Sequence, residues 1–415
     1  MILRIGWAPV VALLAVQTAH AQPVSFEEAL RAARQDQSIL HAGELRVDGA
    51  RELSEAADEL PDPRLRGGFM NLPITGPATF ELGRQLPTQI TIGVEQEIPN
   101  LAKRHARSGI ANTDIRLAQA RLGIATRDVD VAAGTAWLAL YFAQRRMELA
   151  QSALSQLREL VPVANSAVAS GSARPAESLA VRREILAIED AITSIQADME
   201  TAQARLARYI SLAEPVANGV APAAEVYQPE LREALEGNPE LLLADVARER
   251  AEAEIRLARA DKRPDFGVNV SYGRRGPDFG DVVSVMGSVT LPIFAGRRQN
   301  PRIAAAEAEA SALRLEREDQ FRELTAQLEG DLAIWRGALR QWQRAQEQLL
   351  PLARDRASLE TASYAAGRAD LIDVVSAKSA LAFFELEILE REEAAVSAAV
   401  TLQLTYGERR NEFGD

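Results

Sequence analysis

Cysteine is absent from all 415 positions. That excludes disulfides, thiolate metal sites, a cysteine nucleophile and a lipid-anchor cysteine. Aromatic residues amount to only 5%, which suits long helices better than a sandwich or an α/β enzyme. Beyond the first residues, no stretch reaches the ~18 apolar positions a membrane-crossing helix needs. No nucleophile motif, phosphate-binding loop or metal cluster occurs, so no cofactor, no metal and no enzymatic activity are expected. His41 and His105 are too few and too far apart for a metal site. Met70, Met147, Met199 and Met286 are scattered and read as packing residues. The formal charge of −12 disfavours nucleic acid as a partner.

Residues 1–21 read as a secretory signal. Arg4 supplies the positive start, Ile5 to Val16 a short apolar core, and Ala19-His20-Ala21 a small-x-small cleavage site. The apolar run is too short to anchor the chain as a spanning helix.

The rest of the chain is written twice. Gly171 and Gly367 are 196 positions apart, as are Gly134 and Gly330, and Pro99 and Pro292 are 193 apart. A repeat of this size sets the fold reading. The first repeat runs over 22–212, a Pro- and Gly-rich linker over 213–228, the second repeat over 229–407, and a polar tail over 408–415. Each repeat reads as a helix, a β-hairpin (64–98 and 265–292) and a long helical hairpin with its tip near 171 or 367.

Local signals place the elements. Ser25 and Glu28 form a capping-box pattern, and the helix they open runs to about Leu60, where Pro61-Asp62-Pro63 stops it. Leu101 to Ala169 is helical, and Pro175 starts a return helix to about Ser211. Pro229 to Lys262 is helical, with Asn238-Pro239 as a helix start. A last long helix begins near Arg298. Its Phe321, Leu324, Leu328, Leu332, Trp335, Leu339 and Trp342 step by threes and fours, a coiled-coil seam. Pro351 is a kink site, and the return helix ends near Tyr406. At ~1.5 Å per residue, the helix from Leu101 matches the two shorter helices that follow it laid end to end. The path therefore goes down, turns at the tip and climbs back in two pieces.

The strands carry the environmental signal. Ile90, Ile92 and Val94 alternate with Thr91, Gly93 and Glu95; Phe266, Val268, Val270 and Tyr272 with Gly267, Asn269 and Ser271; Val283, Val285 and Val289 with Ser284 and Ser288. Strands of roughly 8–10 residues, apolar on one face and small or polar on the other, are how a barrel wall between lipid and water is written. One chain offers four strands where the smallest membrane barrels need about eight, so copies must share the barrel; three would supply twelve. Two small soluble hairpins resting on a helical bundle are the alternative. Pro99 and Pro292 end strands where the chain swings into helix. Lys103, Arg104, Arg107, Arg297, Arg298 and Arg302 follow, either at a rim facing headgroups or acidic neighbours, or as a solvated first turn.

These features together resemble the TolC-type outer-membrane efflux proteins. The supporting set is the duplicated plan, the two glycine tips, and the strand endings Glu97-Ile98-Pro99-Asn100-Leu101 and Leu291-Pro292-Ile293-Phe294-Ala295-Gly296-Arg297. Asp62-Pro63, Met70 to Pro77 and Gln96 to Pro99 look most like the CzcC/CusC-like heavy-metal branch. The resemblance implies a mainly α fold with a membrane β part: a homotrimer with a twelve-stranded outer-membrane barrel and a periplasmic α-barrel. It also implies outer-membrane lipid, a periplasmic adaptor and an inner-membrane pump as partners, in a Gram-negative cell. In such proteins the tunnel narrows at the tips, where acidic rings tune cation passage. Asp373 is the matching position, with Asp370 one turn before it and Ser376 where a second acid often stands. Three carboxylates around one axis attract cations and raise each other's pKa values; a plain role at the helix N-terminus is the alternative. Gly171, Ser172, Arg174, Gly367, Arg368, Ala369 and Leu371 are the candidate adaptor contacts. Drug efflux and type I protein secretion are the alternative duties for the same channel. A soluble periplasmic coiled-coil adaptor is the competing class.

Overall fold

Ser25 opens the first helix, α1 (Phe26–Asp36), through the expected reciprocal cap. The Ser25 N–H donates to Glu28 Oε2 at 2.8 Å and the Glu28 N–H to Ser25 Oγ at 3.3 Å. The computed structural model describes residues 22–82, 88–172 and 174–407. The expected signal sequence, residues 83–87 within the expected first β-hairpin and the polar tail lie outside the described residues.

The expected single first helix is two. Gln37 takes an extended backbone after α1, and α2 (Ser38–Ala56) ends four residues before Leu60. A hydrogen bond from the Gln37 amide to the Arg208 carbonyl, 3.0 Å, holds that break. Strands β2 (Arg64–Met70) and β3 (Gln89–Ile98) follow, then α3 (Leu101–Arg158), α4 (Leu160–Ala169) and α5 (Pro175–Ala207). The second repeat supplies α6 (Gln228–Ala234), α7 (Pro239–Ala260), β5 (Asp265–Arg274), β6 (Val282–Thr290), α8 (Gln299–Arg344), α9 (Leu350–Ala365) and α10 (Leu371–Tyr406). The expected helix over Pro229 to Lys262 is also divided. A 3₁₀ turn, Leu235–Gly237, precedes Asn238, whose side chain caps α7 by accepting from the Glu240 N–H at 3.0 Å.

The repeats are not the compact units. One unit takes residues 22–37, 129–226 and 331–404; the other takes 38–128, 227–330 and 405–407. Each therefore draws on both repeats.

The first unit is helical and packs around several apolar cores. Trp137, Leu138, Phe142, Leu206 and Val396 fill one. Trp137 meets Phe26 edge-on at 5.5 Å and stacks on Tyr141 at 5.2 Å. Its indole N–H donates to the Val24 carbonyl at 2.8 Å. That bond fixes β1 (Gln22–Val24), which pairs in parallel with β4 (Pro215–Ala217). The second of these segments lies in the stretch expected as a linker. Trp335 of α8 repeats the device, donating to the Ala224 carbonyl at 2.7 Å. The second core joins Leu154 and Leu157 of α3 to Val181 and Ile188 of α5 and Leu371 and Val375 of α10. Of the coiled-coil seam, Leu332 and Trp335 are buried in this unit. Between α8 and α9 lies a π-helical turn, Ala345–Leu349.

The second unit holds an antiparallel sheet in the order β2-β3-β5-β6, with α2, α6, α7 and the first parts of α3 and α8. Leu241 of α7 and Leu324 and Leu328 of α8 are buried there. Arginine–carboxylate pairs join its helices, Arg232 to Glu329 at 2.7 Å and Arg127 to Glu240 at 2.7 Å.

Candidate functional site

The sheet register turns the sequence alternation into two continuous faces. Leu65 pairs with Val94, Val94 with Val270, and Val270 with Val285. Phe69–Ile90, Ile92–Tyr272–Val283 and Ile98–Phe266–Val289 form further rows on that face. All of these side chains are exposed on the chain. Burial in a soluble core would hide such a face, so it marks a surface built for apolar surroundings.

The opposite face is polar and close-packed. Ser271 lies opposite Gly93, and a β-carbon added at Gly93 would come 2.7 Å from the Ser271 Cβ and 2.9 Å from the Val270 carbonyl. Arg66 and Glu95 form an ion pair across β2 and β3. Met70 and Met286 are exposed, so these two are not the packing residues the sequence reading expected. They stand in register positions of the polar face, beside Gln89 and Asn269; Met147 is buried as expected.

The strand-to-helix junctions differ. After β3 only Pro99 and Asn100 precede α3, whereas Leu291 to Arg298, including Pro292, separates β6 from α8. Asn100 is a hub that sequence reasoning missed. Its backbone N–H and its amide each donate to Asp265 at 2.9 Å, and the amide also reaches the Ala260 carbonyl at 3.2 Å. Lys103 salt-bridges Asp265 at 2.6 Å and Asp261 at 3.0 Å. Burial alone would lower the Lys103 pKa; the two aspartates outweigh it and hold the ammonium above its usual range. Lys103 is thus occupied by acidic neighbours within its own chain. Arg107, Arg297, Arg298 and Arg302 are exposed.

The two tips share one geometry. At the first, the Ser172 N–H donates to the Ala167 carbonyl at 2.9 Å and the Gly171 N–H to Val168 at 3.1 Å. At the second, 196 positions on, Arg368 donates to Ser363 at 2.8 Å and Gly367 to Tyr364 at 2.9 Å. These are the paired bonds of a Schellman stop. Gly171 and Gly367 have φ of 76° and 69°, a left-handed conformation that costs other residues about 1–2 kcal/mol. Nothing lies within 4 Å of a β-carbon added at either, so backbone conformation alone demands glycine.

The return helices begin alike as well. The Asp370 N–H donates to Asp373 Oδ2 and the Arg174 N–H to Glu177 Oε1, both at 3.1 Å. Each acid sits at the third helical position and caps its own helix. Glu177 is the counterpart of Asp373, and the first-turn acid after Pro175 was its signal; sequence reasoning singled out only Asp373. Their exposure differs: Glu177 is buried, whereas Asp370, Asp373 and Ser376 are all exposed at spacings of three.

Among the expected adaptor contacts, Gly171, Ser172, Arg174, Gly367 and Arg368 are exposed and Ala369 is half-buried. Leu371 is a correction. It is 2% exposed, packed with Val375 and Val181 in the second core, so its own fold occupies it. His41 meets Glu44 at 3.1 Å. Among the described residues no group of three metal-ligating side chains gathers, and no helix is long and apolar enough to cross a membrane.

A four-stranded sheet with an exposed apolar face and two matched glycine-tipped helical hairpins are the features in which the chain resembles the TolC-type outer-membrane efflux proteins. The family model "Outer membrane efflux protein" matches residues 231–408. The cobalt-zinc-cadmium resistance protein CzcC of Cupriavidus metallidurans is 24% identical over 378 residues, covering 87% of this chain and 84% of that protein. A membrane protein of Pseudomonas aeruginosa has the same fold, with a TM-score of 0.77 at 16% identity, over 92% of this chain and 90% of its own. CusC, whose structures describe transmembrane channel formation, superposes with a TM-score of 0.74 at 16% identity, over 92% of each chain.

Proposed function

We propose that this chain is one third of an outer-membrane exit duct, a passive conduit of a tripartite efflux system. The observation that carries the reading is the sheet. Its apolar face is exposed, and its outer strands β2 and β6 have no partner among the described residues on their outer edges. Open edges in lipid leave backbone groups unsatisfied, so a membrane sheet must close. Successive copies joined β6 to β2 keep the antiparallel alternation, and three copies give the twelve strands of a closed barrel. The helical hairpins then line a periplasmic tunnel. The exposed tip residues Gly171, Ser172, Arg174, Gly367 and Arg368 dock an adaptor, which links the duct to an inner-membrane pump.

Heavy-metal cations are the cargo this reading favours, supported by the similarity to a cobalt-zinc-cadmium resistance protein along most of both chains. Three exposed Asp373 carboxylates around the axis would suit cation passage. Asp373 also caps α10, so Asp373→Asn is the informative change: it keeps an acceptor for the Asp370 N–H and removes the charge. Channels of this variant in planar bilayers should lose cation preference; unchanged preference removes the ring.

The whole reading is tested by extracting the chain from membranes. Detergent should be required, and native mass should show three copies that conduct in bilayers. A monodisperse single subunit in plain buffer would refute it. Exposing a deletion strain to a panel of metals and drugs identifies the cargo: metal-only sensitisation supports metal efflux, and drug-only sensitisation overturns it.

A further inference from the structure

The two repeats use one contact inside the chain and leave its twin open. Val375 and Ala382 of α10 are 0% and 6% exposed, in a core that includes Ala153 and Leu157 of α3. Their counterparts, 196 positions earlier on α5, are Leu179 and Leu186, and these are 63% and 60% exposed. On the receiving side the difference is one of residue type: the first repeat has Gln156 on α3 and Val163 on α4, both exposed, where α9 has leucines. Gln156 of α3 lines a groove together with Ala382. The counterparts of Gln156 and Val163 on α9 are Leu352 and Leu359, which are 65% and 67% exposed. So the return helix of the second repeat seats on the outgoing helix of the first. The reverse pair, α5 with α9, carries four leucines and leaves them exposed among the described residues.

The levels of these leucines match. Leu179 and Leu186 lie 8 and 15 residues after Gly171, and Leu359 and Leu352 lie 8 and 15 residues before Gly367. The two tips turn at one level. Ser379, 12 residues past Gly367, donates to Glu184, 13 residues past Gly171, at 2.6 Å. α5 leads away from its tip and α9 toward its own. Side by side with tips level, Leu179 therefore meets Leu359, and Leu186 meets Leu352. Between the two leucine layers, Arg183 and Asp355 each stand 12 residues from their glycine, opposite in charge.

We propose that Leu179 and Leu186 on α5 of one copy seat against Leu359 and Leu352 on α9 of the next. The inference rests on the shared-channel reading and names the seam that closes it. Its occupant is a second copy of this chain, because the open surfaces are the repeat-related halves of a contact the chain already makes with itself. Two different surfaces, one on each side, form a heterologous contact, the kind that builds a ring when its rotation closes.

The absence of cysteine makes the test clean. The full chain, oxidised in the membranes of expressing cells, carries Leu179→Cys with Leu359→Cys, or Leu186→Cys with Leu352→Cys. Both pairs should give covalent species of two and three chains on a non-reducing gel. Leu179→Cys with Leu352→Cys, seven residues out of level, should give about tenfold less. Native mass of the same detergent-extracted samples is the second readout. Multi-copy particles in which the level pairs cross-link no better than the offset pair overturn the seam and leave the channel reading standing. Single chains in the mass measurement overturn both.

Discussion

Val270→Arg tests whether the apolar sheet face meets lipid. Val270 is central in β5, between Val94 and Val285 in register, and its side chain is exposed on the chain. No core contact has to be broken to place an arginine there. If the face were bathed in water, the change would stay within about 0.5 kcal/mol. At the middle of a bilayer the same arginine costs about 2–4 kcal/mol, a shift of about 30- to 700-fold in the folding equilibrium. Met286→Arg is the matched control, since Met286 is also exposed but stands on the polar face, beside Asn269. Both variants are reconstituted in vesicles and unfolded in guanidinium, with the midpoint and slope compared against the parent chain. The reasoning predicts a large loss for Val270→Arg and a small one for Met286→Arg. Equal small losses would refute a lipid-facing sheet, and equal large losses would refute the assignment of the two faces.

Other changes probe the helical unit. Gly171→Ala and Gly367→Ala should each cost about 1–2 kcal/mol, because alanine must adopt a left-handed backbone; faster hydrogen exchange at the Ser172 and Arg368 amides would report it. Gly330→Ala, in the interior of α8 with open space at its β-carbon position, should stabilise by up to about 1 kcal/mol, seen as a higher unfolding midpoint. Trp335→Phe strips the Ala224 carbonyl of its indole donor and should cost about 1–3 kcal/mol, read by denaturant unfolding. Glu393 gives a pH signature. Burial raises its pKa, Arg146 opposes this from 2.7 Å, and Glu390 and Asp198 add to the rise. Between the ordinary glutamate value and that raised value the folded chain holds more protons than the unfolded one, so this group's contribution to stability falls as pH rises. Glu393→Gln should remove that slope; a difference in Tm from the parent that stays flat across the window would contradict it. Glu184 has the opposite sign. Burial opposes its ionisation, but Ser379 and Arg183 outweigh burial and hold its pKa low. Its contribution is present above the ordinary glutamate value and fades as pH falls through its lowered one.

The strands were legible because their alternation is strict, and one face remains exposed in the folded chain. The tips were legible because a left-handed stop needs glycine, and the two glycines recur at one interval. The break at Gln37 was not, because neither Gly nor Pro marks it and its hydrogen-bond partner, Arg208, is 171 positions away. The pairing of β1 with β4 was hidden for a similar reason: three residues a side are too few for a period. Pro351 was read as a kink, and the disturbance lies just before it. A proline lacks an N–H and crowds the carbonyl four residues earlier. Here that is Glu347, inside the widened turn Ala345–Leu349. Leu371 was misplaced because nearness to a tip suggested surface, while the first turn of α10 rolls it into the core. Glu177 was overlooked because its cap partner, Arg174, is not a residue that advertises a helix start.

The widened turn also works as a phase setter. A π turn takes in one residue more than an α turn, and one residue is worth about 100° of rotation around a helix. Everything downstream on α9, Leu352 and Leu359 included, owes its bearing to that surplus residue. Excising Gln348 would restore ordinary winding and swing both leucines through about that angle, away from their present outlook, with their identities unchanged. The first repeat carries its own interruption at Glu159, so the two halves of this duplicated chain are timed differently.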